Sequence, residues 1–333
     1  MLNRPSTGAL RPGGAIPAAS RGVITVLVVD DSSYMRHALT ARVLDAPDIR
    51  VVDTARDGEE AIAKIKALRP DIVTLDVEMP NLDGLGALRR IMSEAPTRVI
   101  MLSSRTTDGA AATVEALRLG ALDFIAKPGG SVSLNIASIR DELLGKIRRL
   151  AGTPLPRALH TAAEPAPAPP DAVERVRLGN ADKLVVIGAS TGGPRALCEL
   201  VPLLPATLDA AVLIVQHMPP GFTKPLAQRL NAMAKIMVKE AQAGDPLRMG
   251  LALVAPGDFH MLIGDDQRIV LTQTERLHGV RPAVDQTLMA AARRFGRRTL
   301  AIILTGMGAD GCAGALAVHE AGGRVIAEHE STA

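Results

Sequence analysis

The sequence predicts an α/β protein built from two parallel-sheet units. Three observations predict it. Between residues 23 and 150, short apolar runs alternate five times with segments of helical periodicity, the pattern of a parallel sheet covered on both faces. Residues 151–181 turn rich in proline and alanine and poor in large apolar groups, as in a semi-rigid solvated spacer. From residue 184 onward, apolar runs again end in turns that open helices.

In the first unit the spacing predicts strands over 24–29, 49–54, 72–75, 99–102 and 124–126, and helices over 33–44, 59–68, 85–93, 110–119 and 134–150. Functional groups of such a sheet belong at the strand C-terminal ends. The first end supplies Asp30 and Asp31, the third Asp76, the fourth Ser103 and the fifth Lys127. A single carboxylate at a strand end is ordinarily solvated or a helix cap. Three converging carboxylates repel one another unless a cation lies among them. Hard oxygen ligands with open positions suit Mg²⁺, which also takes phosphate oxygens. The hydroxyl and the lysine would meet the remaining oxygens of a phosphoryl group.

Residues 1–22 hold arginines and prolines without a signal-type apolar stretch, and are expected to be a disordered leader. The first unit is assigned to 23–147, the spacer to 148–181 and the second unit to 182–333. His160 falls in the spacer, where an exposed and inert role is expected.

In the second unit, strands are predicted over 184–187, 211–215 and 300–304, with helices reaching Leu204, over 226–233, over 284–295 and up to Ala321. Short strand-like runs between 236 and 272, broken by Gly244, Gly250, Gly257 and Gly264, predict inserted hairpins. The first strand ends in Gly188-Ala189-Ser190-Thr191-Gly192-Gly193-Pro194. That turn lifts a hydroxyl above the sheet edge, beside free amides at a helix start. Taken singly, Ser190 is as well explained as a helix N-cap or part of a phosphate-binding turn. His217 ends the second strand and Asp310 follows the third; singly, each has a structural reading too, the acid as another N-cap. Together the three supply a hydroxyl nucleophile, a base and an acid that orients the base. The chain order Ser, His, Asp differs from that of α/β-hydrolases, so the glycine–serine–glycine spacing does not assign that fold. Amides after Ser190 and in the Gly306-Met307-Gly308 loop are candidate oxyanion donors. His260 and Arg281 are candidate lining of the cleft.

Composition narrows the function. The chain has 333 residues, 47% of them hydrophobic, so sizeable aliphatic cores are available. Aromatics are 2%, tryptophan is absent and the net charge is +3, which argues against base stacking and against nucleic-acid binding generally. No run reaches the length of a membrane span, so no direct membrane insertion is expected. Cys198 and Cys312 lie in predicted helices, look like small core residues, and have no metal or disulfide spacing. A cytoplasmic protein is expected.

Residues 23 to about 147 resemble a response-regulator receiver domain. The resemblance implies a doubly wound five-stranded parallel sheet with Asp76 as phosphoacceptor. It implies Mg²⁺ held by the side chains of Asp31 and Asp76, by the backbone carbonyl of Glu78, and by Asp30 through water or directly. Ser103 would be the switch hydroxyl, Phe124 the rotating aromatic and Lys127 the phosphoryl-binding lysine. Residues 184 to about 330 resemble the catalytic domain of chemotaxis protein-glutamate methylesterases. The match rests on Gly188–Gly193, on Gln216-His217-Met218-Pro219-Pro220-Gly221-Phe222, on Ala255-Pro256-Gly257-Asp258 and on Leu304–Gly311. The resemblance implies a Rossmann-like α/β domain without a cofactor, and a Ser190–His217–Asp310 triad. It implies hydrolysis of glutamate methyl esters and deamidation of glutamines on methyl-accepting chemoreceptors. A chemotaxis histidine kinase would be the phosphodonor. Relatives continue past Glu328–Thr332, so a short C-terminal tail is expected here. The competing reading is a response regulator whose second unit binds a partner or a nucleotide without catalysis.

Overall fold

The computed structural model describes residues 22–104, 106–127, 139–153, 179–306 and 308–329. The leader, most of the spacer with His160, Met307 and the expected helix start at 134–138 lie outside them.

The first unit runs β1 (Ile24–Val29), α1 (Ser33–Ala38), β2 (Ile49–Ala55), α2 (Gly58–Leu68), β3 (Ile72–Asp76), α3 (Gly84–Glu94), β4 (Arg98–Ser103), α4 (Thr107–Leu119), β5 (Asp123–Ala126) and α5 (Arg140–Leu150). Every predicted strand is present. The helix expected over 33–44 is α1 followed by one π turn, Leu39–Val43. Side-chain caps explain where four of the five helices start. Ser32, Asp57, Asp83 and Thr106 each accept from the amide three residues ahead, satisfying a donor the helix leaves open. The sheet is parallel throughout, in the order β2-β1-β3-β4-β5. Residues of β1 alternate between two cores: Val26 and Val28 face α1 and α5, Leu27 and Val29 face α2 to α4, and all four are fully buried. The order reverses between β1 and β3, so a crevice opens where Asp30 and Asp76 emerge.

The second unit runs β6 (Leu184–Ala189), α6 (Gly193–Leu200), β7 (Ala211–Gln216), α7 (Thr223–Met233), β8 (Met237–Glu240), β9 (Leu251–Val254), β10 (His260–Ile263), β11 (Ile269–Thr272), α8 (Val284–Phe295), β12 (Thr299–Ile303), α9 (Cys312–Glu320) and β13 (Arg324–Ala327). Its main sheet has six strands in the order β13-β12-β6-β7-β9-β8, all parallel. The hairpin expectation for 236–272 is therefore only partly met. β10 and β11 form one antiparallel pair, but β8 and β9 join the main sheet in parallel, linked by a loop rather than a helix. Glycine breaks mark the ends of strands equally well in either geometry. Strand order reverses at β6, which has β12 on one side and β7 on the other. The registers Ile303↔Gly188 and Ala189↔Gln216 bring Ser190, His217 and the chain after β12 to one edge.

The two units pack against each other. α4 of the first meets α6 and α7 of the second, and one apolar cluster runs from Val114 and Phe124 to Phe222 and Leu226. Among the described residues no helix is long and apolar enough to cross a membrane.

Candidate functional site

Ser190 lies half-buried just past β6, in a turn closed by the Gly193 amide donating to the Ser190 carbonyl at 2.8 Å. The turn requires glycine at Gly192, where φ is +77°. Gly306 runs so close that an added Cβ would stand 2.8 Å from the Ser190 Cβ. His217 is anchored by its amide on the Ala189 carbonyl at 3.0 Å. The buried Gln216 side chain, adjacent in sequence, donates from Nε2 to the carbonyls of both Ser190 and His217, at 3.0 and 3.1 Å. One amide group thus sets the spacing of the two residues.

The His217 Nδ1 is 3.1 Å from Ser190 Oγ, and its Nε2 is 2.7 Å from Asp310 Oδ2. Asp310 is an acceptor, so Nε2 carries the proton and the Nδ1 lone pair faces the serine hydroxyl. This is the reverse of the ring orientation in chymotrypsin-type triads. The Asp310 carboxylate also accepts from the amides of Val284 at 2.7 Å and Asp285 at 2.9 Å. Burial alone would raise the Asp310 carboxyl, but the His217 contact and those two amides hold it below the ordinary aspartate value. The structure thus brings Ser190, His217 and Asp310 together.

His260 is not lining, and Arg281 is engaged by its own loop. His260 is fully buried, with Nε2 on the Glu275 carbonyl and Nδ1 accepting from the Ala283 amide. Arg281 spends its guanidinium on Asp258 Oδ1 and on the carbonyls of Gln273 and Thr274, bracing the loop. Cys198 is pushed up to about 11 by burial. Cys312, expected in the core, is exposed at the first position of α9.

At the other crevice, Asp30 and Asp76 are buried and Lys127 Nζ lies 2.9 Å from Asp30 Oδ2 and 2.7 Å from Asp76 Oδ2. Burial, and next the Asp30 charge against the pull of Lys127, leave Asp76 raised to about 6. Asp30, Asp31 and Asp76 bring carboxylate oxygens within 4.8 Å of one another. Asp30 Oδ2 has no hydrogen-bond donor beyond its ion pair with Lys127. Three hard oxygen donors with such an open acceptor fit a divalent cation. Glu78 is exposed, its carboxylate accepting from Ser104 Oγ at 2.9 Å. Ser103 is buried and donates to the Gly109 carbonyl at 2.9 Å, at the first turn of α4.

Phe124 stacks on Phe222 of the second unit, with ring centroids 4.8 Å apart and planes at 21°. Its neighbour Asp123 takes Lys146 on one oxygen at 3.0 Å and accepts from the Gly192 amide on the other at 3.3 Å. Arg149 reaches Thr305 Oγ1 at 3.2 Å. Asp123 and Asp285 escaped the sequence reading, and Gln216 entered it without a role, only within the run that contains His217. Only Gln216 carried a signal there, as a polar residue ending a fully buried strand.

Comparison with known proteins decides the family. Residues 26–137 match the response regulator receiver domain model and residues 185–333 the CheB methylesterase model. A protein-glutamate methylesterase/protein-glutamine glutaminase of Symbiobacterium thermophilum is 52% identical over 319 residues, spanning 93% of this chain and 88% of its own length. The Thermotoga maritima protein of that name is 48% identical, with 93% and 89% covered. The chain belongs to the protein-glutamate methylesterase/protein-glutamine glutaminase family. Like its methylesterase relatives it is a hydrolase, here with the serine-bearing sheet behind a receiver domain. In this methylesterase the receiver's Asp123 and Phe124 lie against the turn and loop beside the candidate triad.

Proposed function

We propose that the chain removes methyl groups from glutamate methyl esters of chemoreceptors, and deamidates receptor glutamines, through Ser190, His217 and Asp310. The observation that carries this reading is the continuous hydrogen-bonded line from Ser190 Oγ through His217 to Asp310. Nδ1 of His217 takes the Ser190 proton as Oγ attacks the ester carbon. The imidazolium so formed is stabilised by Asp310 and returns that proton to the leaving group, which departs as methanol from the ester or ammonia from the amide and leaves the acyl group on Ser190 Oγ. Water, deprotonated by the same Nδ1, then attacks the acyl carbon now esterified to Ser190; the bond to Oγ breaks, Oγ takes the proton back from His217, and the glutamate carboxylate leaves. The Thr191 amide, which has no hydrogen-bond partner among the described residues, is the candidate oxyanion donor. A purely binding role for the second unit leaves this three-residue line without a purpose.

Asp76 is the proposed phosphoacceptor, with Asp30, Asp31, Asp76 and the Glu78 carbonyl holding Mg²⁺. The ion, when bound, neutralises charge on the phosphoryl oxygens. Lys127 meets one such oxygen, and Ser103 leaves the Gly109 carbonyl to meet another. In the unphosphorylated chain the Asp123 carboxylate sits on the Gly192 amide, where an anion of the reaction would compete. Phosphorylation, moving Ser103 and Phe124, would loosen that contact and open the cleft to a receptor helix. The proposed partners are receptors and a chemotaxis histidine kinase, and the proposed location is the cytoplasm. Methanol release from methylated receptor tests the reading, measured for the whole chain with and without a phosphodonor and for the fragment from Asp182. The fragment should outpace the unphosphorylated whole and ignore the phosphodonor. A fragment no faster than the whole would remove inhibition by the receiver.

A further inference from the structure

We propose that Asp285 is a positioning residue for Asp310, the two acids holding each other's helices in a reciprocal cap. The proposal rests on the triad reading above. Asp310 lies just before α9 and its carboxylate accepts from Val284 and Asp285, the first two amides of α8. Asp285 lies in the first turn of α8, and its Oδ1 accepts from the Gly311 and Gly314 amides at the start of α9, at 3.0 and 2.6 Å. Each carboxylate therefore meets the positive end of the helix that follows the other. Two buried acids so close would ordinarily repel. Here each has its charge matched by two amides left open at the start of the other's helix.

Helix packing enforces the arrangement. A Cβ at Gly314 would stand 3.0 Å from the Asp285 Cα and 2.5 Å from the Leu288 Cβ, so α8 and α9 approach as closely as glycine permits. Asp285 is buried and touches neither Ser190 nor His217. Its second oxygen is 3.1 Å from His278 Nε2, on a half-exposed side chain. Gly311, which joins Asp310 to α9, has φ +101°, a left-handed conformation that suits glycine. Without the Asp285 carboxylate the amides of Gly311 and Gly314 lose their shared acceptor, and Asp310 is held from the α8 side alone, through the amides of Val284 and residue 285.

The whole chain carrying Asp285→Ala, Asp285→Asn or His278→Ala is assayed for kcat and KM on methylated receptor. Asp285→Ala should lower kcat by about 10²-fold, the scale of a displacement near 1 Å, with KM little changed. Asp285→Asn keeps an Oδ1 acceptor for both amides and should recover most of the activity. His278→Ala should match wild type. Should Asp285→Ala not fold, Asp285→Ser, whose hydroxyl reaches one amide, takes its place with the same expectations at smaller size. An unchanged kcat in the alanine or serine variant overturns the proposal, as does an Asn variant no better than Ala. Failure of the triad itself reads differently: wild type would then show no turnover that Ser190→Ala abolishes.

Discussion

At the scale of single residues, His217 carries the most information. Asp310 receives three donors, from the His217 ring and from the amides of Val284 and Asp285. An asparagine there must turn its own N–H₂ toward one of them. Asp310→Asn should therefore lower kcat by roughly 10⁴-fold through the wrong tautomer, and Ser190→Ala by roughly 10⁶-fold. Thermal unfolding of Ser190→Ala should stay near wild type. Normal turnover in that variant would remove Ser190 as nucleophile. Asp76 offers a second test, through linkage. Its folded value of about 6 stands above the ordinary 3.8, so the folded state binds the proton more tightly. The stability this lends is complete below pH 4 and is lost as pH rises through 6. In metal-free protein, Asp76→Asn should thus be more stable than wild type at pH 8, by up to about 3 kcal/mol for that interval, and equal to it near pH 4. Chemical denaturation at the two pH values checks this, and an advantage at pH 4 alone would reverse the sign.

At the scale of elements, β6 and α8 are coupled through Gly188. A Cβ there would meet Val284 Cγ1 at 2.5 Å, and the Val284 amide holds Asp310. Gly188→Ala should cost about 1–3 kcal/mol as overpacking and lower turnover as well. Adding Val284→Ala should return part of both, a coupling that a double-mutant cycle measures. Additive losses would mean the two residues do not share the strain. The same elements show what sequence can and cannot reveal. The C-terminal ends of β1, β3, β6 and β7 were legible because each mainly apolar run stops at a polar residue. β8 and β9 were misread because four-residue strands bounded by glycine look alike in parallel and antiparallel pairs. β13, exposed along its length at the sheet edge, has no buried-face pattern to betray it. His260 was misread because a histidine near glycines resembles a lining residue, whereas its partners are backbone groups 15 and 23 positions away. The reciprocal cap of Asp285 and Asp310 has no local signature at all, since an acid in a first helical turn is ordinary.

At the scale of the whole molecule, the two strand-end crevices converge on one contact between units. Phe124 and Phe222 stack across it, Asp123 meets Gly192 and Arg149 meets Thr305. The resemblance implies a receiver packed against the catalytic cleft, but these residue pairs were not legible in the sequence, where the spacer separates the partners and periodicity reports only each unit's own core. Arg149→Ala removes a charged hydrogen bond worth about 1.5 kcal/mol or more. It should raise the turnover of the unphosphorylated chain by roughly tenfold and leave the phosphorylated rate unchanged. An unaltered unphosphorylated rate would mean that the Arg149 contact does not hold the units together.

The stacked phenylalanines also bind the two sites into one thermodynamic cycle. If a phosphoryl group at Asp76 loosens the contact by some factor, whatever enters the cleft must favour that group by the same factor. Receptor would then be an effector as well as a substrate. A chain whose Ser190 carries a bulky phosphonyl adduct should bind beryllium fluoride at Asp76 more tightly than the unmodified chain, and the ratio of the two affinities would report how firmly the closed form is held.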